Sequence, residues 1–264
     1  MLRQILKKDN IFAKKSLGQN FITDENFLSK LSSLIITNKN SSIIEIGPGK
    51  GALTKELIKK KVNQIVAIEK DTNLIDGLKK LFRDFKNIQV LHDDALSINY
   101  NEFIKKNSII VGNLPFNISS SLLMNWIFLD KWPPLYEKMY LMFQKEVGER
   151  ILANHGTKKY GRLSVVTQSR CKVKKIIIAK SKIFSPQPKV DGIVLEFTPH
   201  KEHLDMNILN LEKIVKKAFS QRRKKIKTTL SSYIDCLHSL SIDPDLRPEN
   251  LSVLQYCKLA KLIR

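Results

Sequence analysis

Between Ser42 and Phe143, short β-branched runs alternate with amphipathic segments, and that alternation leaves few folds open. Ser42-Ile43-Ile44-Glu45-Ile46 runs into a glycine-rich turn, and residues 52–61 then carry Leu53, Leu57 and Ile58 on one helical face. Gln64-Ile65-Val66-Ala67-Ile68 repeats the strand pattern, and residues 72–82 repeat the helix pattern with Leu74, Ile75, Leu78 and Leu81 as its apolar stripe. Further strands are expected over 88–91, 108–111 and 139–143, with a helix over 119–128. Strands that are apolar on both faces and separated by helices call for a mostly parallel sheet covered on both sides. Two later apolar runs, 163–168 and 192–197, are expected as strands that pair antiparallel at the sheet edge. Composition shifts at Thr198-Pro199-His200-Lys201-Glu202-His203, beyond which the chain reads helical and basic. The expectation is therefore an α/β domain over 1–200 and a small helical domain over 201–264.

Open α/β sheets bind ligands at the C-terminal ends of their strands. Glu45-Ile46-Gly47-Pro48-Gly49-Lys50-Gly51 lies at the first such end. Glycines there let a ligand approach the backbone, just ahead of a helix N-terminus. The spacing is GxGxG rather than the dinucleotide GxGxxG, and Glu45 before it would repel a pyrophosphate. A carboxylate in that place suits a ligand bearing an ammonium and a sulfonium. Glu69 ends the second strand, where a carboxylate accepts hydrogen bonds from ribose hydroxyls. Asp94 follows the third strand and suits an adenine amine, with Ala95 leaving room for the ring. Three acids at successive strand ends favour S-adenosylmethionine over NAD.

After the fourth strand comes Gly112-Asn113-Leu114-Pro115-Phe116. An amide, a proline carbonyl and an aromatic ring so close together can hold a flat exocyclic amine edge-on and stack on its face. The same residues also make an ordinary turn after a strand. Beside a methyl donor they describe a base N-methylation site. The chain has 46 Lys and Arg against 25 Asp and Glu, a formal charge of +21, which favours a polyanionic partner, although a general lysine bias accounts for part of it. Eight basic residues between Lys213 and Lys227 share a segment with Val215, Phe219, Ile226 and Leu230 at near-helical spacing, as in a helix with one packed and one cationic face. Arg247-Pro248-Glu249-Asn250-Leu251-Ser252 reads as the capped start of a final helix.

Cys171, Cys236 and Cys257 lack CxxC spacing, and the five histidines lack ligand spacing, so no metal or disulfide framework is expected. His200 and His203 read as solvated linker residues. Lys7, Lys8, Lys14 and Lys15 precede no apolar core of a signal peptide, and no apolar run reaches membrane-span length. A soluble, cytoplasmic, monomeric protein is expected.

Across nearly its whole length the chain resembles the ribosomal RNA adenine dimethyltransferase family, most of all its bacterial small-subunit branch. The resemblance is carried by Lys15-Ser16-Leu17-Gly18-Gln19-Asn20-Phe21, Glu45 to Gly51, Glu69, Asp94-Ala95, Asn113 to Phe116, Phe184-Ser185-Pro186-Gln187-Pro188-Lys189-Val190-Asp191 and Phe219-Ser220-Gln221-Arg222-Arg223-Lys224. Phe116 stands where the family more often has Tyr, and Gly192 where it often has Ser. The resemblance implies a Rossmann-like class I methyltransferase domain using S-adenosylmethionine and releasing S-adenosylhomocysteine. Its substrate would be N6 of two adjacent adenosines in a hairpin loop near the 3′ end of 16S rRNA, in the small subunit or its precursor. It further implies that Asn20 and Ile22 close over the donor, Gly47 lines its methionine part, Glu69 holds the ribose, and Asp94 holds the adenine. Asn113 would touch both the donor region and the target amine. Pro115 would offer its carbonyl, Phe116 would stack on the target, and Phe184 would stack on its other face or pack as an ordinary core aromatic. The branch of the superfamily that acts on large-subunit rRNA is the nearest alternative.

Overall fold

The computed structural model of the chain describes residues 13–14, 17–201 and 206–263. Lys7, Lys8, Lys15, Ser16, Glu202 and His203 lie outside the described residues. The chain divides into two compact units. The first takes the described residues up to Leu123, then Leu135–Lys145 and Lys175–Glu196. The second takes Met124–Pro134, Glu146–Lys174 and Phe197 onward.

In the first unit, β1 (Phe21–Ile22) and α1 (Glu25–Leu34) precede β2 (Ser42–Ile46), α2 (Ala52–Ile58), β3 (Gln64–Glu69), α3 (Thr72–Phe82), β4 (Ile88–His92) and β5 (Ser108–Gly112). Then come α4 (Ser119–Ile127), β6 (Tyr136–Gln144), α5 (Lys145–Leu152), α6 (Arg162–Arg170), β7 (Cys171–Ala179), β8 (Phe184–Ser185) and β9 (Gly192–Pro199), several of which cross into the second unit. Seven strands form one mixed sheet in the order β4-β3-β2-β5-β6-β9-β7. Five neighbours in that order, β4 through β6, run parallel.

Register decides where the site falls. Ile46 pairs with both Ile68 and Gly112, and Glu69 pairs with His92. The C-terminal ends of β2, β3, β4 and β5 are therefore level, and the loops leaving them open on one edge. Strand order reverses at β2, with β3 on one side and β5 on the other, which makes the crevice between them the natural ligand site. Beneath it Ile43, Leu57, Ile65 and Ile109 join one buried cluster, while Leu74, Leu78, Leu81 and Phe82 form another. Leu57 is fully buried, so truncating it to Ala would cost about 2–5 kcal/mol.

The expected strand at 163–168 is α6 instead. Its Ser164 Oγ accepts from Gly161 N (3.1 Å), and Gln168 Nε2 donates to Ile151 O (2.7 Å) and Ala153 O (3.0 Å). Burial on nearly all sides of this helix overrides the β-propensity of Val165 and Val166. The strand at that point of the chain is β7, one element later.

The second unit also contains α7 (Ile208–Ala218), α8 (Ile226–Thr229), α9 (Ile234–Ser239) and α10 (Val253–Leu262). Helix α6 packs against both α7 and α10. The tail therefore does not stand alone after residue 200. Its apolar faces need a partner, and α6 with its flanking segments supplies one. Phe219 lies between Tyr160 (6.2 Å) and Tyr256 (6.0 Å) in the seam. The near-helical stripe of Val215 to Leu230 is broken in two, because a 3-10 turn at Phe219–Gln221 separates α7 from α8. Ser252 caps α10, as the sequence signals, by accepting from Gln255 N (3.2 Å).

Candidate active site

A cavity of about 370 Å³ lies within the first unit, lined by residues from 17–23, 45–53, 68–70, 93–96 and 113–118. Asn20, Ile22, Gly47, Glu69, Asp94, Asn113, Pro115 and Phe116 all line it. Chain segments that are distant in sequence thus meet where the strand ends are level.

Gly47 has φ +66° and donates its N–H to Ile68 O (2.9 Å). A Cβ added there would meet nothing within 4 Å, so the backbone faces open space that a ligand can fill. Glu45 is buried, and its Oε2 has no hydrogen-bond partner among the described residues. Burial first, and the nearby Glu69 charge second, push its carboxyl up to about 7. The Thr54 side chain opposes that rise, by more than the Glu69 charge adds to it. A cationic group placed here would draw Glu45 back to its ionised form.

Glu69 is buried and fixed by two backbone donors: Gly49 N to Oε2 (3.0 Å) and Asp71 N to Oε1 (2.9 Å). Burial raises its pKa, and those N–H groups oppose the rise. Both oxygens keep a lone pair for ligand hydroxyls. Asp94 accepts from Lys70 Nζ (2.7 Å) and Leu96 N (3.0 Å), and the Lys70 bond foremost holds its carboxyl below the usual range. Four acidic side chains (Glu45, Glu69, Asp93, Asp94) and two lysines (Lys50, Lys70) line the cavity. An acidic pocket in a chain of charge +21 suits a cationic small molecule and disfavours a pyrophosphate.

At the other end, Asn113 Nδ2 donates to Asn20 O (3.0 Å), which leaves Oδ1 as the acceptor. The Pro115 carbonyl, expected to grip the target amine, closes the following turn by accepting from Ile118 N (3.1 Å). It would have to share. The carbonyl of Leu114, a residue that also lines the cavity, carries no hydrogen bond among the described residues. A backbone carbonyl leaves no residue-type signal, so the sequence does not single out Leu114. Phe184 is 4% exposed, pairs with Ile22 between β8 and β1, and belongs to the core cluster rather than the cavity lining. It pairs with a segment, 17–23, that lines the cavity.

Open space at a glycine turn, a buried acid awaiting a cation and a carboxylate at the second strand end define an S-adenosylmethionine-dependent methyltransferase of the Rossmann-like class I fold. Residues 11–264 match the family of ribosomal RNA adenine dimethylases, and the chain belongs to that family. "Ribosomal RNA small subunit methyltransferase A" of Pelagibacter ubique is 40% identical over 255 residues, covering 94% of this chain and 96% of that protein. Its namesake in Legionella pneumophila is 40% identical over 254 residues, covering 95% and 97%. The crystal structure of a dimethyladenosine transferase from Plasmodium falciparum superposes with a TM-score of 0.80 at 25% identity, covering 90% of this chain and 95% of that one. No helix among the described residues is long and apolar enough to cross a membrane.

Proposed function

We propose that the chain dimethylates N6 of two adjacent adenosines in a hairpin loop near the 3′ end of 16S rRNA, within the small ribosomal subunit or its precursor. The names of its relatives and the acidic donor pocket beside an amide clamp support this reading. In it the protein works as a cytoplasmic monomer. When bound, S-adenosylmethionine supplies an electrophilic methyl group on a sulfonium. Gly47 and Glu45 would hold the methionine part, Glu69 the ribose hydroxyls and Asp94 the adenine amine. Asn20 and Ile22 would cover the donor.

Adenine N6 is a poor nucleophile because its lone pair is delocalised into the ring. Asn113 Oδ1 and a backbone carbonyl, that of Leu114 or Pro115, would accept its two N–H bonds and favour a pyramidal nitrogen. Phe116 would stack on the base, which must be unstacked or unpaired to enter. No titratable group lies in Asn113 to Phe116, so positioning and electrostatics carry the rate. The single observation behind this assignment is the Asn113 amide, whose donor side is committed to Asn20 O.

RNA would be gripped chiefly by the second unit. Arg222 is tied to Thr157 O and Glu249, and Lys225 and Lys227 pair with Asp245. Lys213, Lys216, Arg223 and Lys224 are exposed and carry no ion pair among the described residues, which makes them the phosphate-contacting set. The test is incubation with unmethylated small and large subunits, followed by mass spectrometry of each rRNA. Methyl groups on large-subunit RNA alone would refute the assignment.

A further inference from the structure

Asp71 stands outside every role assigned so far, yet it is 2% exposed and its carboxylate is the most heavily engaged near the site. Lys14 Nζ donates to Oδ1 (2.6 Å) and Gln19 Nε2 to Oδ2 (2.9 Å). Asn73 N also donates to Oδ1 (3.1 Å), which makes Asp71 the cap of α3. Its own N–H donates to Glu69 Oε1 (2.9 Å), so one covalent unit joins the carboxylate facing the ribose position to the N-terminal segment. Gln19 is held for this contact, because its Oε1 accepts from Lys14 N (2.8 Å).

The segment 17–23 forms part of the cavity wall. Its other attachments are few. β1 pairs with β8 over two residues, and the Phe21 ring lies against Gly49 with Lys50 Nζ 5.2 Å from its centroid. Asn20 O meets Asn113 Nδ2. The segment is thus pinned on the donor side at Asp71 and on the acceptor side at Asn113.

We propose that Asp71 is a positioning residue that, through Lys14 and Gln19, latches the segment 17–22 over the donor and sets how fast the donor site opens. This rests on the cavity being the donor site. Dimethylation consumes one donor per methyl group, so the site must open between rounds, and the same segment orients Asn113 for each transfer. A buried carboxylate with two side-chain donors is strong enough to keep the segment closed and, with Lys14 partly exposed, open enough to be released by water and salt.

The test measures release of tritiated S-adenosylmethionine by rapid filtration from the full-length protein. Lys14→Met and Asp71→Asn should each speed release about tenfold, the loss of one charge-assisted hydrogen bond. Asn retains the α3 cap, so that variant separates latching from helix stability. Lys14→Arg should restore slow release. Added salt should speed release from the wild type but not from Lys14→Met. Release at the wild-type rate from both Lys14→Met and Asp71→Asn would overturn the proposal. A wild-type protein that retains no donor would instead remove the donor-site reading beneath it.

Discussion

Replacing Asn113 with Ala separates chemistry from binding more cleanly than any other single change. The side chain divides its two polar atoms: Nδ2 donates to Asn20 O at 3.0 Å, and Oδ1 is left to accept from the target amine. Losing the first bond loosens the N-terminal segment by about 0.5–1.5 kcal/mol, so donor affinity should fall by no more than about tenfold. Losing the second removes an acceptor placed for the transition state, an effect worth about 2.7–4 kcal/mol, or 10²–10³ in kcat. Melting temperature should shift little, because the amide leaves no buried carbonyl of the core unpaired. Asn113→Asp should be slow as well, since it sets a carboxylate oxygen against the Asn20 carbonyl. Tritiated-methyl transfer to unmethylated small subunits gives kcat, and calorimetry with S-adenosylhomocysteine gives donor affinity. Turnover near the wild-type value would refute the amide clamp. Equal losses in turnover and donor affinity would show that Asn113 serves only the donor pocket.

Glu69→Ala should weaken donor binding about tenfold or more by removing hydrogen bonds to a charged acceptor, and an unchanged calorimetric Kd would rule out the ribose assignment. Glu45 has a folded pKa of about 7 against an ordinary 4.5, so its contribution favours the fold below pH 4.5 and is lost as pH rises towards 7. Relative to Glu45→Gln, the wild type should therefore lose about 2 kcal/mol between about pH 5 and pH 7.5, read from urea midpoints. Parallel curves would show that Glu45 is not buried as a neutral acid. Neutralising Lys213, Lys216, Arg223 and Lys224 together should flatten the salt dependence of RNA binding by about 0.7–0.9 in log–log slope per lost phosphate contact. S-adenosylhomocysteine affinity should stay unchanged, and an unaltered salt slope would place the RNA elsewhere.

Local patterns survive folding when the core needs what the chain already prefers. The strands at Ser42–Ile46 and Gln64–Glu69 and the helix at Thr72–Phe82 were legible because their apolar period and their burial coincide. Residues 162–170 misled because Val165 and Val166 favour a strand, while the surroundings bury Ser164, Thr167 and Ser169 as well, with Ser164 Oγ donating to Arg150 O and Ser169 Oγ to Val166 O. That information is not local. The helix at Glu25–Leu34 went unread for the opposite reason, its polar residues masking a stripe of Phe27, Leu28 and Leu31.

The candidate site divides along the same line. Sequence alone determined the glycine turn, the acids at three strand ends and the Asn113 motif, because each is a residue type that its local backbone or its chemistry demands. Only tertiary structure decided how they share a cavity. Parallel register levelled the strand ends, the Asn20 carbonyl selected which face of the Asn113 amide stays open, and the Ile118 N–H occupied the Pro115 carbonyl. It also decided that Phe184 belongs to the core and that Asp71 ties the N-terminal segment to Glu69. Hydrogen-bond partners 52 to 93 residues apart follow from where the backbone brings them, and no sequence spacing encodes that.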